Sequence, residues 1–226
     1  MKMNKLLSAL GGIALMVTLL LTAVDLCCFF KPFYHYEYAA GKQAEKIGMS
    51  EEGLNEATDT LLDYLHGSRD DIFVETEVYG VKREVYNQRE KLHMIDVRNL
   101  YQSAVLVRNV LAVSSLLIFL YLYWKNHDSF PVLFKNGLKH GFLCLLLLVL
   151  FVSVWAIADF DAFWLNFHYV FFDNDLFLLD PNTSIMINMF PSVFFMHMVF
   201  MIIIVYGLFA LGAYGLASLL CRRRNA

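Results

Sequence analysis

Two histidines, each with carboxylates close by in the chain, are the residues of this sequence best placed to do chemistry. His93 stands in His93-Met94-Ile95-Asp96-Val97, and His168 stands in an aromatic run ahead of Asn174, Asp175 and Asp180. An imidazole with an ordinary pKa near 6.5 takes up and returns a proton at neutral pH. His93 and Asp96, three apart, share one face if that stretch is helical, with Arg89 one turn before His93. Asp96 or Asp175 would then orient an imidazole and stabilise its charged form, as the third member of a triad does. Other chemistries have less behind them. There is no GxSxG elbow, no HExxH and no Walker loop. The four cysteines (Cys27, Cys28, Cys144, Cys221) sit in or beside apolar runs and form no CxxC pair and no disulfide framework. A metal site of His93, Asp96, His168 and Asp175 is allowed by ligand type, but the spacing carries no specificity. Asn174, Asp175 and Asp180-Pro181 also read as plain turn and cap chemistry.

The elements that must position these groups are membrane helices. Of 226 residues, 58% are hydrophobic and only 17% charged, whereas a soluble domain carries about 25% charged residues. A spanning helix needs about 20 mostly apolar residues. Four stretches qualify: 6–24, 103–124, 138–157 and 193–220. Their length and continuity favour helices over alternating barrel strands. The fold class expected is therefore mainly α: a single integral membrane domain over 1–226, built on a four-transmembrane-helix bundle. The first span has a basic start but a long apolar run and no clean cleavage site, so an uncleaved anchor is expected. Net charge is −3, so nothing global points to nucleic acid and no nucleic-acid partner is expected.

Lysine and arginine placement sets the sides. Residues 1–5, 125–137 and 221–226 hold or border Lys2, Lys5, Lys125, Lys135, Lys139 and Arg222, Arg223 and Arg224, and are expected in the cytoplasm with both termini. The opposite, outer segments are 31–102, with 9 basic and 14 acidic residues, and 158–191, with five Asp and no Lys or Arg. The first is expected to form a small α(+β) domain. Ser50 caps a helix over 50–66 that Gly67 ends, residues 72–79 read as a short strand, and 83–102 read as a helix running into the membrane. The second is aromatic-rich. Its rings suit an interfacial belt, but a belt does not explain His168 and a row of Asp among them. Counting helical rise puts both histidines at or just above the outer headgroup boundary, where general acid–base work on a lipid-borne ester is the remaining chemistry.

The other histidines read as interfacial (His35), helix-terminal (His66), cytoplasmic (His127, His140) or packed within the last span (His197). Arg108 is the one charge well inside a span. It either snorkels upward or is a candidate contact for a phosphate or an oxyanion.

At these residues the sequence resembles the lipoprotein intramolecular transacylase family. His93-Met94-Ile95-Asp96-Val97 is similar to its first motif. The run from Phe160 through Phe167-His168, Phe171-Phe172 and Asn174-Asp175 is similar to its second, continued by Leu179-Asp180-Pro181, Met189-Phe190-Pro191 and Phe194-Phe195. The likeness covers essentially the whole chain. It departs at Phe177, where the family often has Trp, and at Ser192, where it often has an acidic residue. The resemblance implies a multi-pass enzyme of the plasma membrane of low-GC Gram-positive bacteria, with its active site on the extracellular face. Its partners would be diacylglyceryl-modified bacterial lipoproteins and membrane lipid. The sn-2 acyl chain would move to the cysteine's own α-amine, giving a lyso-form lipoprotein. His93 and His168 are then the catalytic pair, with His93 favoured as base and His168 as proton donor. Asp96, Asn174, Asp175 and Asp180 support them. Ester to amide is downhill, so no cofactor and no metal is implied. The competing readings are a non-enzymatic membrane receptor or assembly factor, and another membrane lipid ester hydrolase or acyltransferase.

Overall fold

A computed structural model describes residues 2–225. Met1 and Ala226 lie outside the described residues, as do the side chains of 223–225, and with them Arg223 and Arg224 of the charge pattern. In chain order the elements are α1 (Lys2–Cys28), α2 (Lys31–Gly41), α3 (Gln43–Ile47), α4 (Glu51–His66), β1 (Glu75–Val78), β2 (Val81–Glu84), α5 (Gln88–Lys125), α6 (Phe130–Ala158), α7 (Phe160–Phe171), α8 (Ile185–Met189) and α9 (Ser192–Asn225). Among the described residues, four helices are long and apolar enough to cross a membrane: α1, α5, α6 and α9. The chain divides into two compact units.

The first unit comprises Met1–Cys27, Ala104–Ala158 and Val199–Ala226. Its interior is apolar, around Met16, Ala23, Leu138, Leu145, Tyr206, Ala210 and Ala217. Large side chains such as Leu117, Leu147, Phe151 and Leu208 face outward, as helices solvated by lipid require. Lipid is as apolar as leucine, so association here rests on close packing and polar contacts. A Cβ on Gly12 would overlap the Gly137 backbone, and one on Gly141 would overlap Gly12. These glycines let α1 and α6 touch backbone to backbone. Ser8 Oγ donates to the Leu133 carbonyl at 2.5 Å, Ser115 Oγ to the Gly11 carbonyl at 2.9 Å, and Asn4 Nδ2 to Asn126 Oδ1 at 2.8 Å. Arg108 pairs with Asp25.

The second unit comprises Cys28–Ser103 and Asp159–Met198. Ser50 Oγ accepts from Gly53 N at 3.0 Å to start α4, and Gly67, at φ 97°, ends it. β1 and β2 pair antiparallel, with Val78 opposite Val81. Tyr79 (φ 51°) and Gly80 (φ 75°) form their two-residue turn, and positive φ at both positions is what a type I′ turn needs. This hairpin corrects the expected helix start. Residues 81–84 are strand, and α5 begins only at Gln88. The start is set by a reciprocal cap: Asn87 Oδ1 accepts from Glu90 N at 3.0 Å, and Glu90 Oε2 accepts from Asn87 N at 2.5 Å. Tyr86 is fully buried, and its hydroxyl donates to the Ala57 carbonyl at 2.8 Å, tying the hairpin's exit to α4.

Candidate active site

α5 carries His93 and α7 carries His168, both within the second unit. α7 forms because Asp159 caps it, its Oδ1 accepting from Ala162 N at 2.9 Å, and no Gly or Pro interrupts the run that follows. The two imidazoles face one another with centroids 5.9 Å apart and planes 36° apart. Rings close the space around them. Phe172 lies edge-on to His93 at 5.3 Å and 5.7 Å from His168. Phe177 is 5.0 Å from His168, and Trp164 meets His168 edge-on at 5.0 Å.

The two histidines are held differently. His168 Nδ1 is 2.7 Å from the Trp164 carbonyl oxygen. A carbonyl only accepts, so Nδ1 carries the proton, and in the neutral ring the lone pair is on Nε2. His93 is 5% exposed, and its Nδ1 is buried with no hydrogen-bond partner. Burial, with the neighbouring His168 and with Arg89 adding to it against Asp96, pushes His93 down to about 4. Burial lowers His168 as well, opposed by its bond to the Trp164 carbonyl. Both rings are therefore neutral at pH 7.

The carboxylates expected to support this pair form no triad with it. Asp96 Oδ2 accepts from Asn174 Nδ2 at 2.8 Å. Asn174 Oδ1 accepts from Leu176 N at 3.0 Å, which fixes the amide's orientation. Asp175 is taken by Arg89, at 3.1 Å to its carboxylate and by a second bond to its carbonyl. Asp180 Oδ1 accepts from Asn182 N and Nδ2, both at 2.9 Å, and closes a local turn. Each carboxylate thus has a described partner other than an imidazole, and the bonds of Asp96 and Asp175 brace the loop that carries Phe172 and Phe177. Arg108 lies in the other unit, where Asp25 occupies it. Among the described residues, no three His, Cys, Asp or Glu side chains converge to hold a metal.

One carboxylate escaped sequence reading. Glu90 is fully buried, and its Oε1 accepts from Ser184 Oγ at 2.5 Å and from Met186 N at 2.8 Å. It serves the N-termini of α5 and α8 at once, anchoring the segment after the aromatic cage one turn before His93. The signal available was Asn87-Gln88-Arg89-Glu90, a capping-box spacing.

Residues 9–195 match the family model described as lipoprotein intramolecular transacylase Lit. The chain belongs to this family. Lit is named for an acyltransferase activity. The in meso structure of the membrane-integral Lit of Bacillus cereus superposes with a TM-score of 0.77 at 21% identity, over 99% of this chain and 96% of that one. A variant of the same protein with one histidine replaced by arginine gives 0.78 at 18% identity, over 99% and 94%. At these identities the likeness carries the Lit fold, that of a multi-pass membrane protein. A search of curated proteins returns no match.

Proposed function

We propose that this chain is a bacterial plasma-membrane enzyme that moves the sn-2 acyl chain of a diacylglyceryl-modified lipoprotein cysteine onto that cysteine's α-amino group. The observation that supports this beyond family membership is the pair of facing imidazoles, 5.9 Å apart, inside an aromatic cage. The basic short loops favour cytoplasmic termini and, with four spans, an extracellular face for the dyad.

The α-amine has an ordinary pKa of about 7.7–8.0, so an appreciable neutral fraction exists at pH 7. Its nitrogen attacks the sn-2 carbonyl carbon. As the C–N bond forms, the nitrogen's proton passes to His168 Nε2, the basic atom that the Trp164 carbonyl leaves free. The carbonyl oxygen becomes an oxyanion and is held by an N–H of neutral His93. The C–O bond then breaks, and the departing glycerol oxygen takes the proton back from His168. One ester becomes one amide within a single molecule, with no change of mass. These roles exchange the pair favoured from sequence. A buried imidazole lowered to about 4 is a weak base and a good neutral donor, while His168 has its tautomer set for proton acceptance. The rings keep water away from an acyl group that would otherwise be hydrolysed.

Expression in a host that makes diacyl lipoproteins, followed by mass spectrometry of a lipoprotein's N-terminal peptide, tests this. The expected product has unchanged mass and a newly blocked α-amine. His168→Gln should lower the rate by about 10²–10⁴, and His93→Gln by about 10²–10³. Release of free fatty acid instead would make the protein a hydrolase, and wild-type conversion by either variant would remove that histidine's role.

A further inference from the structure

His93 begins a stripe along α5. Asp96 and Ser103 continue that face, and Asn99 flanks it. These three side chains, with Phe172, Asp173 and Asn174 opposite, wall a groove of about 280 Å³ within the second unit. Phe172 joins the two places. It lines the groove and is also in T-shaped ring contact with His93. Most of the lining can hydrogen-bond: two carboxylates, two amides and a hydroxyl, with no lysine or arginine among them.

We propose that this groove holds the polypeptide that follows the lipidated cysteine and selects positive charge there. The inference rests on the transacylase reading and specifies which part of the substrate meets which surface. An acyl chain in the groove would strip water from five polar side chains and meet apolar surface only at Leu100, Phe171 and Phe172. A peptide brings a donor and an acceptor with every residue. The Asn174 amide, oriented by Leu176 N and bonded to Asp96, makes one wall a fixed array of polar groups. Asp96 and Asp173 supply negative charge that no lining cation offsets. A cationic peptide held there keeps its α-amine beside the dyad, which Phe172 also touches.

The test uses purified full-length protein in zwitterionic micelles, where membrane charge contributes nothing. Two synthetic diacylglyceryl-cysteinyl peptides are compared, one with three lysines after the cysteine and one with three glutamates. Binding and conversion are measured for each. Each carboxylate reached by solvent contributes a factor of about 1.5–5 against a cation, so with two of them the lysine peptide should bind about 2- to 25-fold more tightly. The difference should appear in KM and not in kcat, and it should shrink with salt. Asp173 is exposed, so D173N should fold normally and lose part of the preference, and D173K should abolish or reverse it. Equal binding of both peptides by the wild type, or an unchanged preference in D173K, overturns the groove whether or not either peptide is converted. Conversion of neither peptide, with the binding preference intact, overturns the transacylase reading and leaves the groove as a cationic-peptide site.

Discussion

Phe172 is the side chain through which the state of the dyad is most directly open to perturbation. It is 8% exposed and stands against both imidazoles, 5.3 Å from His93 and 5.7 Å from His168. Burial is the largest cause of His93's displacement from 6.5 to about 4, a gap that corresponds to about 3 kcal/mol of disfavoured charge. Phe172→Ala removes the ring and admits water, so His93 should titrate higher than in the wild type, moving from about 4 towards its ordinary value. Phe172→Leu, which keeps most of the volume, should move it less and guards against simple loss of packing, since Phe→Ala in a core costs about 3–5 kcal/mol. The assay is the histidine ring-proton titration by NMR in micelles, with His93→Gln used for assignment. Product analysis on the same samples should show a rising share of free fatty acid, because the cage no longer excludes water. A wild-type His93 that titrates at its ordinary value, or an alanine variant with an unmoved titration, would refute the claim that the rings hold this imidazole neutral.

Acid should weaken the native state through the same groups. Both histidines are lowered by folding, so the unfolded chain binds their protons first, and stability should fall as pH drops from about 6.5 towards 4. Chemical denaturation across that range checks the sign, and His93→Gln should flatten the dependence. With both rings neutral above 6.5, kcat/KM should instead rise with the substrate amine, through about pH 8, when followed by mass spectrometry. Glu90→Ala should lower the melting temperature strongly, because it deprives Ser184, Met186 and Asn87 of a buried acceptor. A cycle with Ser184→Ala should be non-additive. Arg108→Ala and Asp25→Asn should each lower stability, and the double variant by less than the sum of the two, since the two side chains pair with one another. Strictly additive losses would show that the pair is not coupled.

Much of the architecture was legible because each segment reports the medium it must satisfy. Continuous apolar stretches can only be helices in lipid, where backbone groups have no water to bond. Ser50 and Gly67 announced α4 at both ends because caps answer a local shortage of partners. The hairpin was half legible. β1 carries Thr76 and Val78, while β2 is Val81-Lys82-Arg83-Glu84, a mostly charged run with no alternation that stands only because Tyr79-Gly80 folds it back onto its neighbour. The short helices α3 and α8 have too few turns to show a period.

The chemistry divides in the same way. Residue types and neighbours alone nominated His93 and His168, since an imidazole beside carboxylates is suited to proton transfer wherever it lies. Only the tertiary path brought the two rings to 5.9 Å, set the proton of His168 on Nδ1 and gave the Asp96 and Asp175 carboxylates Asn174 and Arg89 as partners. Spacing along one helix reveals which side chains share a face. It carries nothing about which carbonyl or carboxylate from another element arrives opposite that face, and proton position and burial are properties of those arrivals.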